Sequence, residues 1–287
     1  HPMATLRDIK RKISSINSTQ TITKTMKMVS ASKLRRAQDE LEKIRSYAIK
    51  INELTGRVIA GVSAESNPLL MEREEIKNVL IVSIASDRGL CGGFNVNIGA
   101  KAEKFVAENK SNYERVAVYA IGKKVKDYLV RRKVEVIKDL TEIKSVEKAL
   151  VDSITTDLIN YYINGEFDKI YLEYTHFISP VKQTVMFEEF LPLRPTVEQD
   201  EMEYLYEPEK DKIIDKLIPK FISTKIYFAL LDSQTSEHGA RMSAMENATN
   251  NSGEMINTLT LIYNKRRQES ITNEMMDTVG GAEALRG

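Results

Sequence analysis

Tryptophan is absent from the 287 residues, and cysteine occurs once, at Cys91. A single cysteine excludes an internal disulfide and fits a reducing cytosol. Proline is missing from both ends: there is none from Met3 to Asn67 and none from Lys220 to Gly287. Glycine is nearly missing from the first of these stretches, where only Gly56 and Gly61 occur. There is no apolar run of about eighteen residues, so no membrane span is expected. No apolar leader follows Met3, so no signal peptide is expected either, and His1-Pro2 reads as an expression scar. Histidine is limited to His1, His176 and His238, and no Cys/His cluster has metal-ligand spacing. We find no catalytic set and expect no metal and no cofactor on this chain.

What remains is helix-forming and charged. Hydrophobic residues make up 42% and charged residues 29%, as suits a soluble chain rich in exposed helix, with enough length for one large or two modest domains. Net charge is only +1, but it is unevenly spread. Arg7, Lys10, Arg11, Lys12, Lys24, Lys27, Lys33, Arg35 and Arg36 stand against a single Asp8. Glu198, Asp200, Glu201, Glu203, Glu207, Glu209 and Asp211 stand against Lys210. The basic stretch suits an acidic partner or a solvated helix face. Nucleic acid is disfavoured, because no Phe, Tyr or Trp lies within it for bases to stack on.

Steps of three and four residues from Leu6 visit Ile9, Ile13, Ile16, Gln20, Thr23, Lys27, Ser30, Leu34, Ala37, Leu41, Ile44, Ala48, Ile51, Thr55, Val58 and Val62 without a phase slip. A second stripe runs Ile214, Leu217, Phe221, Thr224, Phe228, Leu231, Thr235, His238, Met242, Met245, Thr249, Ser252, Ile256, Leu259 and Tyr263, with Pro219 expected to kink its start. A 3.5-residue period predicts a left-handed, antiparallel coiled coil. Matching the polar windows pairs positions whose numbers sum to about 270, and sets Gln20, Thr23 and Lys27 opposite Ser243, Asn247 and Asn250. Residues after about Gln268 then have no partner in the chain, leaving a lone helix of roughly 30 Å that carries Ile271, Met275, Met276 and Val279. Such an apolar end is expected either to fray or to enter a socket on another protein.

Between the two stripes the pattern changes. Asn78–Ser86 is a continuous apolar run, as in a strand covered on both faces. Val116–Ile121 and Val134–Leu140 read as further strands, with helices near Gly93–Asn109, Lys123–Arg132 and Val146–Asn164. Lys169–Ile178 and Gln183–Phe190 read as a closing hairpin. The predicted class is α/β: a long antiparallel coiled coil of N- and C-terminal helices (3–67 and 209–285) around a central Rossmann-like α/β domain (76–195). The loop Ser86-Asp87-Arg88-Gly89-Leu90-Cys91-Gly92-Gly93-Phe94-Asn95 is glycine-rich but has neither P-loop nor dinucleotide spacing. It suits a tight turn or protein contact better than a nucleotide, and a structural thiol better than one activated by Arg88. Three classes stay open on these grounds: a shaft or brace, a nucleotide-binding enzyme that dimerises through its rod, and a coiled-coil tether.

The segments Ile9–Ile13, Thr21–Lys33, Ser86–Gly93, Ala240–Thr249 and Tyr263–Thr272 together resemble the gamma subunit of F-type ATP synthases, in family order along the whole chain. No long insert with paired cysteines comes after the central strands, which fits the bacterial type. The resemblance implies a non-catalytic rotor shaft of the proton-translocating complex, coupling c-ring rotation to the catalytic sites on beta. Its implied partners are three alpha and three beta subunits, an epsilon subunit and the membrane c-ring, with the chain peripheral on the cytoplasmic face of the bacterial cell membrane. It further implies that Lys24, Met26, Lys27, Lys33, Arg35, Arg36, Arg267 and Gln268 contact beta. The apolar end from Ile271 to Val279 would turn in a bearing, and Tyr204, Tyr206 and Glu207 would face the c-ring and epsilon.

Overall fold

The computed structural model describes residues 5–194 and 210–285. Helix α1 (Leu6–Ala60) opens the chain and α5 (Lys210–Ala284) closes it. Between them lie β1 (Asn78–Ile84), α2 (Phe94–Glu108), β2 (Arg115–Ile121), α3 (Lys123–Arg131), β3 (Val136–Leu140), α4 (Lys148–Ile163), β4 (Lys169–Ser179) and β5 (Lys182–Leu191). The chain divides into two compact units: Ser30–Arg241, and His1–Val29 joined with Met242–Gly287.

The unit Ser30–Arg241 is built on one sheet of order β3-β2-β1-β4-β5. Its first four strands are parallel, and β5 returns antiparallel beside β4. The apolar run of β1 is explained by its central place. Leu80, Val82 and Ile84 face α4 and α5 through Ile154, Leu158, Ile218 and Ile222, while Ile81 faces Ile98 of α2 and Leu129 of α3. Each such side chain contributes about 1.5–3 kcal/mol by leaving water. The entry to β1 is fixed by Asp168, whose carboxylate accepts from the N–H groups of Lys77 and Asn78 at 2.9 and 2.8 Å.

Helix α1 stops at Ala60, short of the expected residue 67. Gly61 comes next, and two short 3-10 turns (Ala64–Ser66 and Pro68–Leu70) take over, capped by the side chains of Ser63 and Asn67. All the heptad positions from Leu6 to Val62 are buried or half-buried, as the spacing predicts. The lower part of α5 departs from its predicted stripe. Of that stripe Ile214, Thr224 and Leu231 are buried but Leu217, Phe221 and Phe228 are only half-buried, and Ile218, Ile222, Ile226 and Ala229 join Ile214 in the sheet core. This length of helix is apolar on two faces, so its heptad phase does not say which face goes deepest. Pro219 lies inside α5, and the helix continues through it.

In the other unit, α1 starts with a reciprocal cap. Thr5 Oγ1 accepts from the Asp8 N–H at 3.2 Å, and the Thr5 N–H donates to the Asp8 carboxylate at 3.0 Å. The Thr5 hydrogen bonds hold the Asp8 carboxyl below its ordinary range. The two helix segments are antiparallel. Thr23 and Thr249 share a hydroxyl hydrogen bond of 2.8 Å, and Lys27 meets Glu246 at 2.6 Å, within a few positions of the expected sum near 270. The polar partners are therefore Thr249 and Glu246. Asn247 and Asn250, expected in the seam, are exposed. They fall between the stripe positions Met245, Thr249 and Ser252, which take the seam instead.

Candidate functional site

The unit His1–Val29 with Met242–Gly287 carries most of the residues expected to meet a partner. Its seam is polar in the middle. Gln20 donates through Nε2 to the Thr249 carbonyl at 3.3 Å, and Thr249 Oγ1 donates back to the Met245 carbonyl. A methyl group at Gly253 would stand 3.1 Å from Gln20 Nε2, so the small residue leaves room for that amide. Every position of the α5 stripe from Met242 to Tyr263 is buried or half-buried, and the stripe continues to Arg266 and Ser270.

Beyond Ser270 the environment changes abruptly. All described residues from Ile271 to Leu285 are exposed. Ile271, Met275, Met276 and Val279 show 50%, 64%, 70% and 55% of their surface, and Leu285, which the sequence reading did not single out, is more exposed still. At 100° per residue these four span a stripe of about 140° on the helix. This end also lacks a basic last turn.

Lys24 is exposed, Met26 is half-buried, and Arg267 and Gln268 are exposed. Lys27 differs from these, because its ammonium is engaged by Glu246 across the seam. Two exposed apolar residues that sequence reasoning passed over, Ile22 and Val29, are one heptad apart and so share a face of α1. Met28 is exposed as well. The signal was present in the Thr21–Lys33 segment, where apolar residues fall outside the 3-4 stripe.

In the unit Ser30–Arg241, Lys33, Arg35 and Arg36 are all exposed. Lys33 and Arg36 are neighbours on α1 and Arg35 points about 100° away, so the three do not form one patch. The Ser86–Asn95 loop is a hub of internal bonds. Buried Arg241 of α5 donates twice to the Gly89 carbonyl, each at 3.2 Å, and to Glu237 at 2.8 Å. Asp87 accepts from the N–H of Lys123 and of Ile143. Asn95 accepts from Ser86 and donates to the Arg88 carbonyl. Cys91 packs with Phe94 and Ala240. Burial pushes its thiol up, as suits the structural thiol expected, and the cation that opposes this is Arg241. Burial, with Arg241 and Lys33 nearby, pushes His238 down to about 4, so its imidazole is neutral at pH 7. Tyr204, Tyr206, Glu207 and the acidic run around them lie outside the described residues.

The family model described as ATP synthase matches residues 5–285. The ATP synthase gamma chain of Anaeromyxobacter is 42% identical, covering 99% of this chain and 100% of that one. That of Moorella thermoacetica is also 42% identical with the same coverage. Among solved structures, a chain from the Tetrahymena thermophila mitochondrial ATP synthase central stalk and c-ring aligns with TM-score 0.61 and 26% identity, over 79% of this chain and 99% of that one. A chain from the Euglena gracilis mitochondrial ATP synthase aligns with TM-score 0.70 over 98% and 94%; at 17% identity it speaks for the fold alone. With its whole described length matched and bacterial relatives at this identity, the chain belongs to the ATP synthase gamma-chain family.

Proposed function

We propose that this chain is the central rotor shaft of a proton-translocating F-type ATP synthase. The c-ring turns it, and each orientation favours a different set of beta-subunit conformations, which is the differential interaction energy that coupling requires. The shaft performs no chemistry and needs no cofactor of its own. It works against three alpha and three beta subunits and, with epsilon, stands on the c-ring at the cytoplasmic face of a bacterial membrane. No described helix is long and apolar enough to cross that membrane.

The observation that carries this reading is the α5 end. A single helix exposing Ile271, Met275, Met276 and Val279 is unfavourable in water and gains when a ring encloses it. Lys24, Met26, Lys33, Arg35, Arg36, Arg267 and Gln268 are candidates for beta contact, all of them exposed except half-buried Met26. Lys27 would have to leave Glu246 to join them.

Purification with the matching alpha and beta subunits tests the proposal. One copy per three alpha–beta pairs, with ATPase activity that depends on it, is the expected result; failure to associate would defeat it. Truncation after Ser270 should leave the isolated chain's stability within about 0.5 kcal/mol of the parent, because exposed residues contribute little. The same truncation should weaken assembly or torque in the complex. A lowered melting temperature of the isolated chain would show instead that the end belongs to its own fold.

A further inference from the structure

Strand β4 outruns its neighbour. Its last pairing with β1 joins Ser83 to Glu173, yet β4 continues to Ser179 with only β5 beside it. The groups that would have paired with a longer β1 are met by side chains of α5. Ser233 Oγ accepts from the Thr175 N–H at 3.1 Å, and Ser236 Oγ donates to the Thr175 carbonyl at 3.1 Å. Asp232 accepts from the Phe177 N–H at 2.8 Å with one oxygen and meets His176 Nδ1 at 2.7 Å with the other. One turn further on, a methyl group at Gly239 would stand 2.9 Å from the Phe177 ring and 3.3 Å from Pro180 Cα, so the hairpin rests on bare helix backbone. Asp232, Ser236 and Gly239 succeed one another at three- and four-residue steps along a single stripe.

We propose that Asp232, Ser233 and Ser236 are the torsional grip between the sheet and α5, the positioning residues that make the helix turn with the sheet rather than roll against it. This rests on the shaft reading above. The isoleucine stripe of α5 supplies area but not direction, since apolar contact is non-directional. Hydrogen bonds are directional. Side-chain tips lie roughly 5–6 Å from a helix axis, so a roll of about 20° moves them ~2 Å, enough to break bonds of this length.

The test is made on the complete complex and on the isolated chain. The alpha–beta ring is immobilised, a bead is attached through Lys110→Cys on the exposed surface (buried Cys91 being left unlabelled), and angular fluctuation is recorded without ATP turnover. The S233A/S236A double variant should raise the angular variance about two-fold, and Asp232→Asn, which keeps an acceptor for Phe177, should raise it less. Amide exchange at Thr175 in the isolated chain reports the bonds themselves. Unchanged variance with accelerated Thr175 exchange would overturn the grip, as would an unprotected Thr175 amide in the parent. If the double variant does not fold, Ser236→Ala and Gly239→Ala replace it with the same expected direction. A parent chain that never joins the ring would overturn the shaft reading, and the torsional role with it, whatever the exchange result.

Discussion

Gly122→Ala should lower the melting temperature of the central sheet by roughly 10 °C, the largest effect expected from any single methyl group here. Gly122 joins β2 to α3 with φ +103, a conformation side chains rarely adopt, and a Cβ there would collide with the Ala85 carbonyl oxygen. That oxygen cannot simply move aside. The Ala85 N–H is fixed to the Ile121 carbonyl at 2.8 Å, and the Gly122 N–H donates to the Leu140 carbonyl at 2.8 Å. Strained backbone costs about 1–3 kcal/mol and overpacking a further 1–3, so about 2–6 kcal/mol is expected together. Thermal melting followed by near-ultraviolet tyrosine signals would measure it. A drop of less than about 2 °C would mean that the β1 and β2 ends separate easily, contrary to the bonds described.

Glu173→Gln should remove most of the fall in stability between about pH 6.5 and 8, above the range where His238 titrates in the opposite direction. Glu173 is fully buried in β4, its carboxyl held by one hydrogen bond from Ser83 Oγ at 2.5 Å, and its second oxygen has no partner. Burial pushes the carboxyl up to about 8, opposed by the Ser83 bond and by Lys101. The folded state therefore binds a proton that the unfolded state releases near 4.5. Stability from this group is complete below the unfolded value, falls as pH rises and is lost above about 8, a decline of about 5 kcal/mol. The amide of Gln keeps an acceptor for Ser83 and does not titrate in this range. The slope left in the variant is set by His238, held at about 4 and so adding stability as pH rises toward 6.5, against Asp232 and Glu237, whose carboxyls burial raises. Melting temperatures at pH 5, 7 and 9 decide the matter, and parallel curves for parent and variant would refute the assignment.

Legibility in the sequence tracked the number of faces an element buries. Helix α1 has one apolar stripe, and all of its heptad positions were found inward. The lone end beyond Ser270 was also legible, because it comes from counting along a register. The start of α5 was not, since it packs on the sheet with one face and carries further apolar residues on another. The segment Asp232–Ser236 drew no reading of its own, yet its side chains serve β4, a strand some sixty residues earlier. Polar periodicity on a helix does not distinguish a helix partner from a sheet edge. The cation that faces Cys91 drew no reading for a similar reason: Arg241 arrives from the far end of the chain. Exposure of Lys24, Arg35, Arg36, Arg267 and Gln268 matches what a contact surface needs, while the internal partner of Lys27 could only be seen once Glu246 was placed opposite.

The pairing of Gln20 and Thr23 with Thr249, and of Lys27 with Glu246, joins residues well over two hundred positions apart. During synthesis at about 5–20 residues per second, the first 29 residues wait roughly 10–50 s before the segment from Met242 onward is made. Through that interval the basic, amphipathic start of α1 is a newborn helix without its mate. The translation time of the middle of the chain thus sets the earliest moment at which the two-helix unit can close.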